Sequence, residues 1–191
     1  MTKRALLKEV FGFKDKHLIE ALEKNMIIRN FSKYEMIISE GTVPHSIYFN
    51  VQGIFRGFFF DMDGKEITDY FCNNVGTAVM SCESLGEKAH ENLQAITELT
   101  AIEFPLTEFK ELLTKYTELA ILQKDSLIDA IEKSQEIKEV CCRLKAKEKY
   151  LWFLENYSDL VDYARAKDIA SFLDMTPVSL SRIRRELKEE K

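Results

Sequence analysis

The chain has 191 residues, of which 46% are hydrophobic and 31% charged, and its formal net charge is −5. These values are typical of a globular protein and exclude global disorder. No apolar run approaches the roughly 18–20 residues that span a bilayer, and the amino terminus lacks the apolar core and cleavage site of a signal peptide. The sequence therefore predicts a cytoplasmic protein without a membrane partner.

Residues 6–25 carry apolar side chains at helical spacing and predict one or two short amphipathic helices. From residue 26 to residue 74, β-branched and aromatic residues are punctuated by glycine and proline, which is typical of short antiparallel strands. The segment DMDGKE predicts a hairpin, because Asp63-Gly64 tolerates the positive φ angles of a tight turn. Residues 94–105 predict two more strands. Together these segments indicate a small antiparallel roll or barrel.

The segment from residue 107 to residue 157 contains no glycine and no proline. It predicts a long helix between residues 119 and 144, and pairing with its copy in a homodimer is the simplest way to bury a second apolar stripe. Polar residues interrupt the heptads, so packing of this helix on its own domain alone is the alternative. Seven apolar residues fall roughly on one helix face: Leu119, Leu122, Ile128, Ile131, Ile137, Cys141 and Leu144.

The charge of the chain is unevenly distributed. Residues 143–191 contain 11 of the 27 basic and 9 of the 32 acidic residues, so this tail carries +2 and the preceding residues carry −7. A basic tail on an acidic protein indicates a carboxy-terminal module with an anionic partner.

That tail, KDIASFLDMTPVSLSRIRREL, has the pattern of a helix-turn-helix. Ala170 is the small residue at which the first helix can approach the second, and Asp174-Met175 forms the turn, where glycine is the commoner residue. Thr176 is a good N-cap and Pro177 suits the first helical turn. The second helix then has apolar residues at intervals of three and four: Leu180, Ile183 and Leu187. The alternative is a generic amphipathic helix whose arginines are solvated.

The outward face of this second helix supplies candidate DNA contacts, because such a helix enters the major groove. The hydroxyls of Thr176 and Ser179 predict phosphate contacts. Arg182 stands where a guanidinium can bind guanine O6 and N7, while Arg184 and Arg185 are predicted to contact the DNA backbone. The candidate DNA-binding residues are Thr176, Val178, Ser179, Ser181, Arg182, Arg184 and Arg185.

Two stretches carry a resemblance to a known family. The segment DIASFLDMTPVSLSRIRREL is similar to a motif common in the Bacteroidetes branch of the Crp/Fnr family of bacterial transcription regulators. The stretch EGTVPHSIYFNVQGIFRGFFFDMDGKEITDYF resembles the family's glycine-punctuated aromatic strands. The matching positions there are Glu40-Gly41, Tyr48, Gly53 and Asp63-Gly64. The resemblance covers nearly the whole chain.

The resemblance implies an α+β fold with three parts. Residues 1–115 would form a sensor domain, an antiparallel β-roll of the cyclic nucleotide-binding-like jelly-roll type. Residues 116–145 would form a dimerisation helix, and residues 146–191 a helix-turn-helix DNA-binding domain. It also implies a homodimer that binds double-stranded DNA, with RNA polymerase and an unidentified small-molecule effector as further candidate partners.

The roll departs from the family's cyclic-nucleotide receptors. Those receptors hold the ribose with a Gly-Glu pair and the phosphate with an Arg-Ser/Thr pair, because a buried phosphate needs a paired cation and donors. Alignment puts these pairs at Ala78-Val79 and Ala89-His90, where neither is present. The sequence therefore predicts a roll that does not bind cyclic AMP.

Substitutes for the missing pairs lie nearby. Gly86-Glu87 is an alternative to the first pair, and Lys88 or His90 to the phosphate partner, although residues 57–142 contain no arginine. Valine at position 178, where the family often has an acidic residue, predicts a different operator sequence. The candidate pocket residues are Val79, Met80, Ser81, Gly86, Glu87 and His90.

The sequence predicts no metal site and does not identify a cofactor. The family's oxygen sensors use a cysteine cluster near the amino terminus, and this chain has no cysteine before Cys72, so an iron–sulfur cluster is not expected. No axial pair for a haem is identifiable, and the three histidines lack ligand spacing. The cysteines, which include Cys82, are expected to be free thiols in a reducing cytosol, with a redox or metal role for Cys141-Cys142 as the alternative.

The sequence therefore predicts a homodimeric transcription regulator that reads a palindromic operator through the helix at residues 176–188. The alternative is a ligand-sensing or protein-interaction module whose terminal helices dock on a protein partner. An enzyme is not predicted, because no nucleophile–base pair, metal cluster or phosphate loop is present in the sequence. The effector, the operator and the sign of regulation are not encoded in any motif.

Overall fold

The computed structural model describes residues 2–80 and 85–189. The helices of this part of the chain are α1 (Lys3–Phe11), α2 (Lys16–Asn25), α3 (Leu106–Lys115), α4 (Thr117–Arg143), α5 (Ala146–Asn156), a short 3₁₀ helix (Ser158–Asp162), α6 (Ala166–Phe172) and α7 (Pro177–Glu189). The strands are β1 (Ile27–Phe31), β2 (Met36–Ile38), β3 (Ser46–Gln52), β4 (Phe55–Phe60), β5 (Glu66–Cys72), β6 (Ala78–Val79), β7 (Asn92–Ala95) and β8 (Leu99–Pro105).

The strands form two four-stranded sheets, in the orders β1-β8-β3-β6 and β2-β7-β4-β5. Strand β8 pairs antiparallel with both β1 and β3, and β2 pairs antiparallel with β7. The predicted α+β class, with an antiparallel roll followed by helices, is confirmed. None of the helices in the described residues is long and apolar enough to span a membrane.

The alternation of β3 and β8 separates a buried apolar face from a more polar one. Ile47 and Phe49 on β3, with Ile102 and Phe104 on β8, join the main hydrophobic core beneath the first three helices. Because successive side chains of a strand point to opposite faces, the intervening residues of the two strands face away from those helices. They include Ser46, Tyr48 and Glu103.

The predicted hairpin lies between β4 and β5. Gly64 has a φ angle of 76°, and its N–H donates to the carbonyl of Asp61 at 3.0 Å. The Asp61 carboxylate accepts from the backbone N–H of Asp63 and of Lys65, each at 2.9 Å. The turn is therefore held by an aspartate that begins it and by a glycine that supplies the left-handed residue.

The chain divides into two compact units. The first comprises Met1–Gly57 and Phe71–Asp129, and the second comprises Phe58–Tyr70 and Ala130–Lys191. The second unit therefore contains the tip of the β4–β5 hairpin together with the helices of the tail.

Helix α4 has 27 residues, and its apolar side chains lie on more than one face. Leu119 is buried in the core of the first unit and Leu122 packs against that core. Ile128 and Ile131 are instead exposed, by 44% and 58%. The residues predicted to share one face therefore differ in burial within the chain, because helical periodicity does not distinguish residues that pack on the same domain from residues that are left exposed.

Within the second unit, α5 is fixed to the last part of α4 by a polar and aromatic contact. The Trp152 indole N–H donates to Glu136 at 3.1 Å, and Lys133 donates to the same carboxylate at 2.8 Å. Lys133 also lies over the Trp152 ring, 5.4 Å from its centroid. The hydrogen bond from Lys133 holds the pKa of Glu136 below its ordinary value.

Candidate nucleic-acid interface

Helices α6 and α7 are joined by a sharp left-handed turn. Asp174 has a φ angle of 49°, and the N–H of Met175 donates back to the carbonyl of Ala170 at 2.9 Å. Ala170 and Leu173 are fully buried, so the small side chain lets the two helices approach. The turn predicted at Asp174-Met175 is confirmed.

The start of α7 is capped as predicted. The Thr176 hydroxyl accepts from the backbone N–H of Ser179 at 3.1 Å, and Pro177 is the first helical residue. Leu180 and Ile183 are buried and fix the orientation of the helix. Because the cap holds the first turn in place, the side chains that follow are presented in a defined geometry.

The opposite face of α7 carries most of the predicted DNA-binding residues. Val178 is 80% exposed, and the Arg182 side chain is 65% exposed with only a 3.8 Å contact to Glu186. Thr176, Ser181 and Arg185 are also exposed, whereas Ser179 is half-buried. The exposed residues form a short polar surface with one apolar side chain near its start.

Arg184 has a different environment. Its Nε donates to the Tyr150 hydroxyl at 3.0 Å, and its guanidinium lies 5.4 Å from the centroid of the same ring. Nη2 of Arg184 is buried without a hydrogen-bond partner among the described residues. The side chain thus packs α7 against α5, and we leave Arg184 out of the DNA surface proposed below.

Replacing Asp174 with alanine is expected to lower the free energy of unfolding by up to about 1–2 kcal/mol, because the short polar side chain of aspartate offsets part of the cost of the left-handed region through local hydrogen bonds and alanine cannot. Asp174→Asn should cost less, since asparagine tolerates the conformation. Urea unfolding followed by circular dichroism measures both. Equal losses for the two variants would point instead to the lost charge, which lies 3.9 Å from the nearly buried Lys149.

The second unit also brings the hairpin into contact with α6. The backbone N–H of Thr68 donates to the Ser171 hydroxyl at 3.1 Å, and that hydroxyl donates to the carbonyl of Asp168 at 3.0 Å. On the same strand, Glu66 pairs with Arg165 at 3.4 Å and with Lys167 at 3.3 Å. No sequence motif indicated these contacts, because the partners lie about a hundred positions apart.

Only some of the residues predicted to form an effector pocket line a common space in the structure. Val79, Met80 and Gly86 line an apolar space of about 10 Å³ near the roll, which is the size of a single water molecule. Glu87 and His90 are exposed and do not line it. Ser81 lies outside the described residues.

A larger cleft of about 320 Å³ lies at the edge of the roll, and the sequence did not indicate it. Glu103 accepts from the Ser46 hydroxyl at 2.8 Å and from Arg29 at 3.1 Å. Burial, followed by the charge of Glu103, raises the pKa of Tyr48 above its ordinary value. The cleft is lined by Ile37, Ile38, Ser39, Thr42, Val43, Pro44, His45, Ser46, Tyr48 and Glu103.

The thiols that the structure describes are free. Cys141 donates to the carbonyl of Phe172 at 3.5 Å, and burial raises the pKa of its thiol. Cys142 is exposed and Cys72 is half-buried. No group of three potential metal ligands occurs among residues 2–80 and 85–189, and Cys82 lies outside them.

The roll is similar to a known domain family. Residues 28–116 match the model of the cyclic nucleotide-binding domain family. A search of curated proteins found no match.

Solved structures resemble nearly the whole chain. FixK2 from Bradyrhizobium japonicum superposes with a TM-score of 0.73 at 18% identity, covering 86% of this chain and 85% of FixK2. TTHB099 from Thermus thermophilus, a transcriptional regulator of the CRP family, gives 0.69 at 18% identity, covering 85% of each chain.

CLP from Xanthomonas campestris, a c-di-GMP responsive global regulator, gives a TM-score of 0.68 at 12% identity, covering 92% of this chain and 93% of CLP. At these identities the likeness shows a shared fold. The resemblance to Crp/Fnr regulators that the sequence indicated is confirmed at that level.

Proposed function

We propose that this chain, which has the Crp/Fnr fold and a cyclic nucleotide-binding domain at residues 28–116, is a homodimeric, DNA-binding transcription regulator. Each protomer would place α7 in the major groove of one half of a palindromic operator. Residues 146–191 would then form the DNA-binding domain, 116–145 the dimerisation helix and 1–115 the sensor. The protein would act in the cytoplasm, without catalysis.

The observation that carries this proposal is the exposed face of α7. A capped helix with a buried apolar stripe leaves Val178, Ser181, Arg182 and Arg185 exposed on its other side. Among the described residues Arg182 has a long ionic contact of 3.8 Å to Glu186, and its guanidinium can exchange that contact for guanine O6 and N7. Val178 offers an apolar surface for a thymine methyl group, and Thr176 and Ser179 lie at the start of the helix, where they would contact phosphates.

Dimerisation is supported by α4. Ile121, Leu127, Ile128 and Ile131 are 41–58% exposed within 11 residues of one helix, and exposed apolar stripes of this kind are buried when two helices pair. A dimer would place its two α7 helices on half-sites about one helical turn apart. Two linked half-site contacts also raise the affinity above that of either alone.

The roll is proposed to sense a molecule other than cyclic AMP, or none. The apolar space near Val79 that the described residues enclose measures about 10 Å³. The ribose and phosphate pairs of cyclic-nucleotide receptors are absent from the sequence. CLP, which shares this fold, is described as responsive to c-di-GMP, so the fold accommodates effectors other than cyclic AMP. RNA polymerase is a further proposed partner.

Selection of genomic fragments by the purified, ligand-free protein at about 0.15 M salt tests the proposal. We expect recovery of fragments that share a palindrome, with half-site centres about 10 bp or a multiple of that apart. The same selection repeated with a small-molecule extract of the source cells tests whether an effector is required. Failure to enrich DNA in both selections would contradict the proposal and favour a protein partner for the terminal helices.

A further inference from the structure

The paired cations at the start of α6 lie against a carboxylate from the hairpin. Arg165 Nη2 is 3.4 Å and Lys167 Nζ is 3.3 Å from the same oxygen, Oε2 of Glu66. All three residues belong to the second unit. One anionic oxygen shared by a guanidinium and an ammonium is also the arrangement in which proteins bind a phosphate oxygen.

The two cations differ in how firmly they are held. Arg165 forms a bidentate pair with Asp168, with Nε–Oδ2 at 2.7 Å and Nη2–Oδ1 at 3.3 Å, and the Asp168 side chain is 1% exposed. Lys167 is 52% exposed and contacts Glu66 through its ammonium group alone. Arg165 is thus fixed to α6, whereas Lys167 can leave Glu66 at little cost, since exposed ion pairs are weak.

The location of this site suggests its ligand. In a helix-turn-helix, the first helix crosses the DNA backbone while the second enters the groove, and α6 is that first helix. Cations that begin α6 therefore lie where phosphates are expected when α7 is bound. None of the residues predicted from the sequence to bind DNA belongs to α6.

We propose that Lys167 and Arg165 form a second binding site for a DNA backbone phosphate, and that Glu66 occupies this site while DNA is absent. This inference rests on the proposed function. On binding, a phosphate oxygen replaces the Glu66 carboxylate beside Lys167, with no covalent change. The hairpin carboxylate then lowers the affinity for every DNA sequence equally, because phosphates carry no base information.

The hairpin does not depend on Glu66 for its contact with α6. Thr68 reaches Ser171 through its backbone N–H, a hydrogen bond that does not involve the Glu66 side chain and is expected to persist when that side chain is changed. A variant at Glu66 therefore changes the charge beside Lys167 and keeps this anchor. The thermal unfolding midpoint serves as the check that the fold is intact.

The test measures binding of the full-length protein to a mixed-sequence DNA duplex between about 0.05 and 0.3 M salt. Glu66→Gln is expected to bind roughly threefold to fivefold more tightly than the wild type, and the slope of log K against log salt should steepen by about 1. Asp63→Asn is the matched control, because it removes one carboxylate from the exposed turn of the same hairpin. It should change the affinity by less than about twofold.

Lys167→Gln, alone and combined with Glu66→Gln, tests whether Lys167 is the cation that binds the phosphate. Lys167→Gln should weaken binding and make the salt slope shallower by about 1, and Glu66→Gln should give a smaller gain in that background, because the ammonium group that it releases is absent. A Glu66→Gln protein that binds no better than Asp63→Asn, or that gains equally without Lys167, would overturn the inference while wild-type binding upheld the proposed function. Absence of DNA binding by every variant would overturn both.

Discussion

Replacing Arg182 with alanine is expected to cost about 1–3 kcal/mol of operator-binding free energy, which corresponds to roughly 5- to 150-fold in affinity. The reason is the loss of the bidentate contact to guanine that is proposed for Arg182. The change should also relax sequence preference at one base pair in each half-site, because only the base that Arg182 is proposed to contact loses its hydrogen bonds to the protein. Binding to a set of operators with single substitutions, measured by fluorescence anisotropy, gives both quantities.

Two neighbouring arginines provide matched controls for Arg182. Arg185→Ala should weaken binding to all sequences alike and reduce the salt slope, because Arg185 is proposed to contact phosphate. Arg184→Ala should instead lower the free energy of unfolding, since Arg184 donates to Tyr150, and should leave sequence preference unchanged. If Arg182→Ala weakened every operator equally, Arg182 would not be the residue that reads the base.

Replacing both Ile128 and Ile131 with lysine is expected to weaken dimerisation by at least about 100-fold, which is about 2.7 kcal/mol or more. Two lysines from each protomer would meet their copies across the proposed interface, where like charges repel and apolar burial is lost. Because both side chains are exposed within one chain, the change should leave the folded protomer intact. Sedimentation equilibrium measures the dissociation constant.

The control for the double lysine variant replaces Ile128 and Ile131 with another apolar residue. Ile128→Leu with Ile131→Leu should retain dimerisation within about tenfold, since volume-conserving apolar changes cost little. The lysine variant should also lose most of its affinity for the full palindrome and keep its weak affinity for a single half-site. A lysine variant that remains a dimer would show that these residues do not form the interface.

The features that sequence reasoning recovered are local ones. The turn at Asp174, the cap at Thr176 and the β4–β5 hairpin each depend on residues within a few positions of one another. Local conformational preference and hydrogen bonding decide such features, so residue type and spacing suffice to predict them.

The features that the sequence did not indicate depend on distant partners. The sequence predicts DNA contacts for both Arg182 and Arg184. The hydrogen bond from Arg184 to Tyr150, which is 34 positions away, distinguishes the two arginines. The pairing of Glu66 with Lys167 joins positions 101 apart. The spacing of apolar residues likewise predicted the helix α4. It could not predict which of these residues the roll covers, because that depends on tertiary packing.

The bond between Thr68 and Ser171 has a consequence for synthesis of the protein. Its two residues are 103 positions apart, so at about 5–20 residues per second the hairpin tip leaves the ribosome roughly 5–20 s before its partner. During that interval the tip lacks the neighbours that complete its unit. Exposed strand surface in a nascent chain is prone to aggregation, and a fragment that starts at residue 130 lacks the hairpin altogether. The carboxy-terminal helices therefore complete a unit whose first piece is synthesised early.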